Sequence, residues 1–357
     1  MDASPGMSNS LLPFVISLLL SIILGTPASY LAKRMGLIDV PGSAPHKQHA
    51  RPTPLAGGIL LAASFMGLAI LHRESLNRDM FAVMSGALVI FLFGLWDDRK
   101  GLSAGPKLIG QLIASIVLVS FNVQVRFVTV LFDADILHPV LAQSLNIVIT
   151  LFWLIGITNA MNMIDSMDGI VAGLTAIAAA LFIGAASLAG QPVLAFWSAC
   201  LLGVSLSLYF WNGIAVKFFL GDSGAQPLGF LLASFGILYN PLNRAPESSW
   251  IVPIMLLGVP IFDTTLVVLS RLRRRQPIGS GRRDHTYHRF IRLGMPPRYA
   301  VLSVHVMGLV ISALAFATLY LSPLVALLFF VGSILGGLAF LFWLERQPTL
   351  DDNPEKP

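Results

Sequence analysis

Residues 11–31 read LLPFVISLLLSIILGTPASYL, an unbroken run without a charged side chain, and Lys33-Arg34 follow it directly. A helix needs about 20 mostly apolar residues to cross a hydrocarbon core of about 30 Å, so this stretch has the length and content of a membrane span. A cleaved signal peptide would carry its basic residues ahead of the apolar run. Here Met1–Ser10 holds no Lys or Arg, and the segment is expected to be an anchor with its N-terminus outside.

The same pattern recurs outward along the chain, near 54–72, 80–96, 107–121, 143–159, 169–189, 193–211, 223–240, 250–270, 298–321 and 324–344. With the first run, these make eleven candidate spans. The composition agrees: of 357 residues 55% are hydrophobic and 11% charged, with a mean hydropathy of +0.78, against roughly 25% charged in soluble domains. The expected fold is an all-α polytopic membrane protein of one domain, residues 11–344, between an outer tail, 1–10, and a cytoplasmic tail, 345–357. Cys200 is the sole cysteine, which excludes a disulfide framework and a cysteine metal site.

Basic residues are retained on the cytoplasmic side of a membrane. Counting crossings from an outside N-terminus places 19 of the 23 Lys and Arg on one face, nine of them in the loop from Arg271 to Arg298. The C-terminus is therefore expected in the cytoplasm. The basic excess is explained by topology and calls for no nucleic acid.

Acidic residues contribute little to orientation, so their placement is a separate observation. Asp97, Asp98, Asp165, Asp168, Asp222, Asp263 and Asp284 all fall at or near that same face. Carboxylates gathered there, in a chain that otherwise avoids charge, suggest a site for a hard cation and a phosphorylated ligand. Asp97 and Asp98 are adjacent and repel each other, and either Mg²⁺ or the neighbouring Arg99 and Lys100 would relieve this. Asn159, Asn162, Asp165 and Asp168 recur every third residue, which on a helix forms one stripe; buried there, they need water, a metal or a ligand.

In Phe219-Leu-Gly-Asp222-Ser-Gly224, glycines bracket a carboxylate just before a span. That setting suits a phosphate approached by backbone amides, with Mg²⁺ between, as well as an ordinary helix cap. Gly258 and Pro260 should break the ninth span close to Asp263. Asp263 itself is then either functional or paired with an arginine. Asp284-His285-Thr-Tyr-His288-Arg289 sits among arginines, which disfavour zinc and favour phosphate or anionic lipid.

Together with the segment His46-Lys47-Gln48-His49 and Pro54-Leu-Ala-Gly-Gly58, these motifs resemble the polyprenyl-phosphate N-acetylhexosamine-1-phosphate transferase family over nearly the whole chain. The resemblance implies transfer of a sugar 1-phosphate from a UDP-sugar to undecaprenyl phosphate, releasing UMP. The spaced histidine box and the eleventh span look more like the branch that starts surface polymers, which mostly uses UDP-GlcNAc. The alternative within the family is the phospho-MurNAc-pentapeptide transferase of peptidoglycan synthesis.

By the same resemblance Asp222 and Asp98 would ligate Mg²⁺, or Mn²⁺ in its place, with Asp97 and Asp98 beside the metal and the acceptor phosphate, where either could remove its residual proton. Asp165, supported by Asn162, would complete the catalytic centre with His285 and His288. Asn159 and Asp263 join the substrate-binding set. Asp168, Asn212 and Phe219 would form the uridine pocket, Lys47 would lie near the nucleotide, and His285, His288 and Arg289 would contact the diphosphate. A homodimer is compatible with the sequence. The rival from another class, a secondary transporter, should show internal repeats and acids at the midplane, and the sequence has neither.

Overall fold

The computed structural model describes residues 5–41, 51–131, 137–241, 249–277 and 284–347. Lys47, with the rest of His46–His49, lies outside them.

The chain is a helical bundle. Helix α1 (Pro5–Arg34) leads into a two-stranded antiparallel ribbon, β1 (Ile38–Asp39) and β2 (Thr53–Pro54), in which Ile38 faces Pro54. Then come α2 (Gly57–Leu71), α3 (Arg78–Lys100), α4 (Ala104–Ser120), the short α5 (Phe127–Leu131), α6 (Pro139–Ile164), α7 (Ile170–Leu188), α8 (Pro192–Leu208) and α9 (Asp222–Leu238). The C-terminal part comprises α10 (Ile251–Leu256), α11 (Gly258–Arg273), α12 (Thr286–Arg292), α13 (Pro297–Thr318) and α14 (Pro323–Glu345).

Among the described residues seven helices are long and apolar enough to cross a membrane: α1, α3, α6, α7, α8 with the turn that follows it, α13 and α14. The four other expected spans differ for physical reasons. Helix α2 has 15 residues and α4 has 17, about 22 Å and 25 Å at 1.5 Å per residue, less than the hydrocarbon thickness. Helix α9 also has 17, and every residue from Ser223 to Phe235 is buried. It runs inside the bundle, packed by α3 on one side and α6 on another, and meets protein rather than lipid. The ninth segment is broken as expected: α10 ends at Leu256, and Leu257, at φ −100° and ψ 17°, separates it from α11.

Two close approaches set the position of α9. Gly94 of α3 lies so near its start that a Cβ there would stand 2.6 Å from the Ser223 Cα. Gly221, immediately before it, has φ +69°, and a Cβ would meet a carboxylate oxygen of Asp98 at 2.6 Å. Only glycine combines the left-handed backbone with that contact.

Candidate active site at one end of the bundle

The C-terminal ends of α3 and α6 meet the N-terminal ends of α4 and α9, and the expected acids converge there. Asp98 accepts from the backbone N–H groups of Asp222 at 2.7 Å and Ser223 at 3.1 Å, and from the Ser223 hydroxyl at 2.5 Å. A helix leaves its first N–H groups without internal partners, and here a carboxylate from another helix supplies them. Both oxygens of Asp98 are engaged in holding the start of α9.

Asp97, beside it and buried, accepts from the Leu102 N–H at 2.5 Å. Its other oxygen lies 2.5 Å from the Lys107 ammonium, which also reaches Asp222 Oδ2 at 2.7 Å. One lysine therefore bridges two carboxylates. Asp222 Oδ2 accepts further from Gln226 at 2.9 Å and from Asn162 at 3.3 Å.

Behind Asp222, Gln226 accepts at 3.0 Å from Gln111, and Gln111 exchanges hydrogen bonds of 2.8 Å and 3.1 Å with Asn159.

The expected helical stripe is helical only as far as Asn162. Helix α6 ends at Ile164, and Asp165, at ψ 66°, starts a loop that Gly169, at φ +80°, closes into α7. The loop releases Asp165 from the helix while keeping it near the cluster. Burial raises its carboxyl well above the usual range, and the like charges of Asp222, Asp168 and Asp98 add to the effect. Asp168 is more exposed.

The residues expected to form a uridine pocket lie on this loop's other side. Helix α8 continues into a π-helical turn, Tyr209–Ile214, a geometry frequent at functional sites. It carries Asn212, which is buried, accepts from the Gly169 N–H at 2.7 Å and donates to the Phe218 carbonyl at 3.3 Å. Its side chain ties two loops together. Phe219 is half-buried. Its backbone pairs with the Pro54–Gly57 segment, donating to the Pro54 carbonyl at 2.9 Å and accepting from Gly57 at 3.1 Å.

The histidine box packs against the same loop. Tyr287, fully buried, places its hydroxyl 2.7 Å from the Ser166 hydroxyl and 2.8 Å from His288 Nε2. His285 Nδ1 donates to Asp263 at 2.7 Å, and Asp263 also accepts from the Thr286 N–H at 2.7 Å. Asp263 is therefore paired with a histidine and a helix start, not with an arginine, and it lies beneath the box rather than in the acidic cluster. The ring of His285 keeps Nε2 for other partners.

Arg289 does not face the cluster. It is 1% exposed and donates to Glu345 at 2.6 Å, to the Leu344 carbonyl at 2.7 Å, to Ser270 at 3.0 Å and to the Asp284 carbonyl at 3.3 Å. This fastens the end of α14 to α12. Asp284 and Arg271 form a two-point pair at 3.1 Å and 3.0 Å. Burial would raise the Asp284 carboxyl, and the Arg271 pair outweighs it and holds it below the usual carboxylate range.

Sequence reasoning missed Lys107, Gln111 and Gln226 as members of the site. The signal was present: Lys107 and Gln111 stand one turn apart at a span's start, as do Asp222 and Gln226, and residues so spaced share a face.

The family model for glycosyl transferase family 4 matches residues 80–240, which hold most of this cluster. Over 325 residues the chain is 30% identical to a Bacillus subtilis protein named probable undecaprenyl-phosphate N-acetylglucosaminyl 1-phosphate transferase, covering 88% of each. The chain belongs to this family. The polyprenyl-phosphate N-acetylhexosamine-1-phosphate transferases also include a Mycobacterium tuberculosis relative named decaprenyl-phosphate N-acetylglucosaminephosphotransferase. It is 30% identical over 350 residues, covering 90% of this chain and 85% of its own. An Escherichia coli relative, named undecaprenyl-phosphate alpha-N-acetylglucosaminyl 1-phosphate transferase, is 25% identical over 283 residues, 78% of this chain and 75% of its own. Family membership accords with the order of motifs along the chain and with a multi-pass membrane protein.

Proposed function

We propose that this protein transfers GlcNAc-1-phosphate from UDP-GlcNAc to undecaprenyl phosphate at the cytoplasmic face of a bacterial inner membrane, releasing UMP and starting a surface polysaccharide or cell-wall polymer. The observation that carries the reading is the gathering of Asp97, Asp98, Asp165 and Asp222 at one end of the bundle, where one ammonium, Lys107, bridges Asp97 and Asp222. Such a cluster is short of positive charge, and a hard cation with a phosphorylated substrate would balance it.

The donor set suits Mg²⁺, and Mn²⁺ in its place. Among the described residues no three His, Cys, Asp or Glu side chains are grouped to hold a metal. Mg²⁺ needs no such cage, because it keeps several waters and takes one or two carboxylates with substrate phosphates. Asp222 and Asp165 would hold it; Asp98, with both oxygens on the start of α9, fixes the backbone of Asp222. When bound, the ion would neutralise charge on the diphosphate.

The remaining chemistry belongs to the chain. Donor and acceptor are both anions, so the barrier falls chiefly by neutralising charge and aligning the groups in line. Lys107 supplies a cation that Asp97 holds in place from behind. The acceptor phosphate, with a second pKa near 6, is largely a dianion at neutral pH and attacks the β-phosphorus directly. Phe219 would stack on uracil, with Asp168 reading its edge. His288 and His285 would meet the diphosphate from the box side. The helix break at Leu257 would open a path for the isoprenoid chain.

The test is transfer of label from UDP-[¹⁴C]GlcNAc to undecaprenyl phosphate by the purified protein, with Mg²⁺ and with EDTA. Labelled lipid formed only with Mg²⁺ is expected. No product from any UDP-sugar would overturn the reading.

A further inference from the structure

A row of amide side chains, Asn159, Gln111 and Gln226, leads from the interior of the bundle to Asp222, and each comes from a different helix: α6, α4 and α9. Gln111 and Gln226 are buried and Asn159 partly so; amides enclosed among apolar helices cost several kcal/mol each unless their hydrogen bonds are made, so their orientation follows from counting donors and acceptors.

Both ends of the row are acceptors only. At one end the Asn159 amide nitrogen donates to the Ile155 carbonyl at 2.8 Å, and at the other the Gln226 nitrogen donates to the Asp222 carboxylate at 2.9 Å. A carbonyl and a carboxylate cannot donate, so neither terminal amide can be turned round.

The middle then has one solution. The Gln226 oxygen must accept, and Gln111 gives it a proton at 3.0 Å; the second Gln111 proton goes to the Asn159 oxygen at 3.1 Å. The Asn159 nitrogen returns a bond to the Gln111 oxygen at 2.8 Å. Both protons of Asn159 and both of Gln111 are used, and reversing any amide would set nitrogen against nitrogen or oxygen against oxygen.

We infer that Gln226 and Gln111 are positioning residues: the amide row holds Oδ2 of Asp222 and so decides that the carboxylate presents its other oxygen to the bound cation. The inference rests on the reading of Asp222 as a metal-holding residue. Three donors converge on Oδ2, namely Lys107, Gln226 and Asn162, and they fix the plane of the group. Lys107 and Asn162 come from the terminal turns of their helices, and Gln226 is anchored through Gln111 and Asn159 to the bundle interior. Hydrogen bonds that orient a metal-holding group from behind typically carry 10- to 100-fold in metal affinity. Gln111 touches no carboxylate, so any effect it has on the metal must pass through Gln226.

The experiment is Mn²⁺ binding to the purified full-length protein in detergent, read by electron paramagnetic resonance without substrate. Gln226→Met is expected to weaken Mn²⁺ binding about 10-fold or more, and Gln111→Met by a smaller factor. The double variant should be no weaker than Gln226→Met alone, because the row is already cut. Gln226→Asn, which stays polar but is too short to reach both neighbours, should behave as Gln226→Met does and guards against a variant that fails to fold. Wild-type affinity in the Gln226 variants, or single effects that multiply in the double variant, would overturn the inference. An Asp222→Asn control that binds Mn²⁺ like the wild type, or a wild type that binds none, would instead overturn the metal reading and the inference with it.

Discussion

Two groups of charges meet at the same end of the bundle and are handled in opposite ways. In the box and its supports each buried acid lies against a partner: Asp284 against Arg271, Glu345 against Arg289 and Arg273, Asp263 against the His285 ring. In the acidic cluster four carboxylates gather, and two of them, Asp97 and Asp222, lie against the same ammonium, Lys107. A fold that pairs charge closely on one side and leaves it unbalanced a few residues away has a reason other than stability for the imbalance. The paired side holds helices together; the unbalanced side is where the proposed cation and diphosphate would sit.

The largest effect should come from the unbalanced side. Asp222→Asn removes a full negative charge but keeps the shape and an oxygen for Lys107. If the cluster acts by electrostatics, turnover should fall by about 10²- to 10³-fold or more, the scale of losing one preorganised charge-stabilising group. Intact insertion and a sharp unfolding transition would show that the fold survives. Near-normal Mg²⁺-dependent transfer by this variant would break the comparison at once.

The paired side predicts a loss of stability without a loss of chemistry. Arg289→Leu leaves the buried Glu345 with the exposed Arg273 beside it, and because breaking a buried pair outright costs about 3–5 kcal/mol, a loss near the lower end of that range is expected. Replacing Arg289 and Glu345 together by Leu should recover much of this, because neither charge is left behind. Thermal unfolding in detergent measures both, and turnover per folded molecule should stay within a few-fold of wild type. A well-folded Arg289→Leu protein with collapsed turnover would mean that the arginine touches substrate after all.

This contrast also explains what could be read from the sequence. The motifs carrying Asp97, Asp98, Asp165 and Asp222 were legible because each interrupts an apolar run, and the broken helix near Asp263 was legible because glycine and proline have local effects. The partners were not. Lys107, Gln111 and Gln226 lie within or at the edge of apolar runs, where one polar residue in a span looks like tolerance, and only the crossing of α4, α6 and α9 brings them together. Arg289 resembled a phosphate ligand because its neighbours in sequence are basic, whereas its neighbours in space include Glu345, 56 residues away. The partner of Asp263 is hidden for the same reason: His285 reaches it from 22 residues further along the chain. Among the described residues seven helices, against eleven apolar runs, are long and apolar enough to cross a membrane, because hydropathy does not distinguish a helix facing lipid from one, like α9, enclosed by other helices.

The smallest effect sharpens the comparison within the acidic cluster itself. Asp165 has its carboxyl raised by burial and by the charges of Asp222, Asp168 and Asp98, so without a cation its ionised form is less favourable in the folded protein than in the unfolded chain. Below the unfolded value, about 4, the group is protonated in both states and contributes nothing. As pH rises from there towards the raised folded value, the unfolded chain loses the proton first, and stability falls. Asp165→Asn removes that penalty. Its melting temperature in EDTA should match the wild type near pH 4 and exceed it at pH 8. The gain should be roughly 2 °C, the scale of 1 kcal/mol in a large domain, because Asp165 is only half-buried and solvent screens the repulsion. Added Mg²⁺ should reverse the order at pH 8, since a cation turns the ionised Asp165 from a liability into a binding group that the variant lacks. A variant less stable than wild type at pH 8 in EDTA would show that Asp165 is already balanced, and the cluster would then differ from the box only in degree.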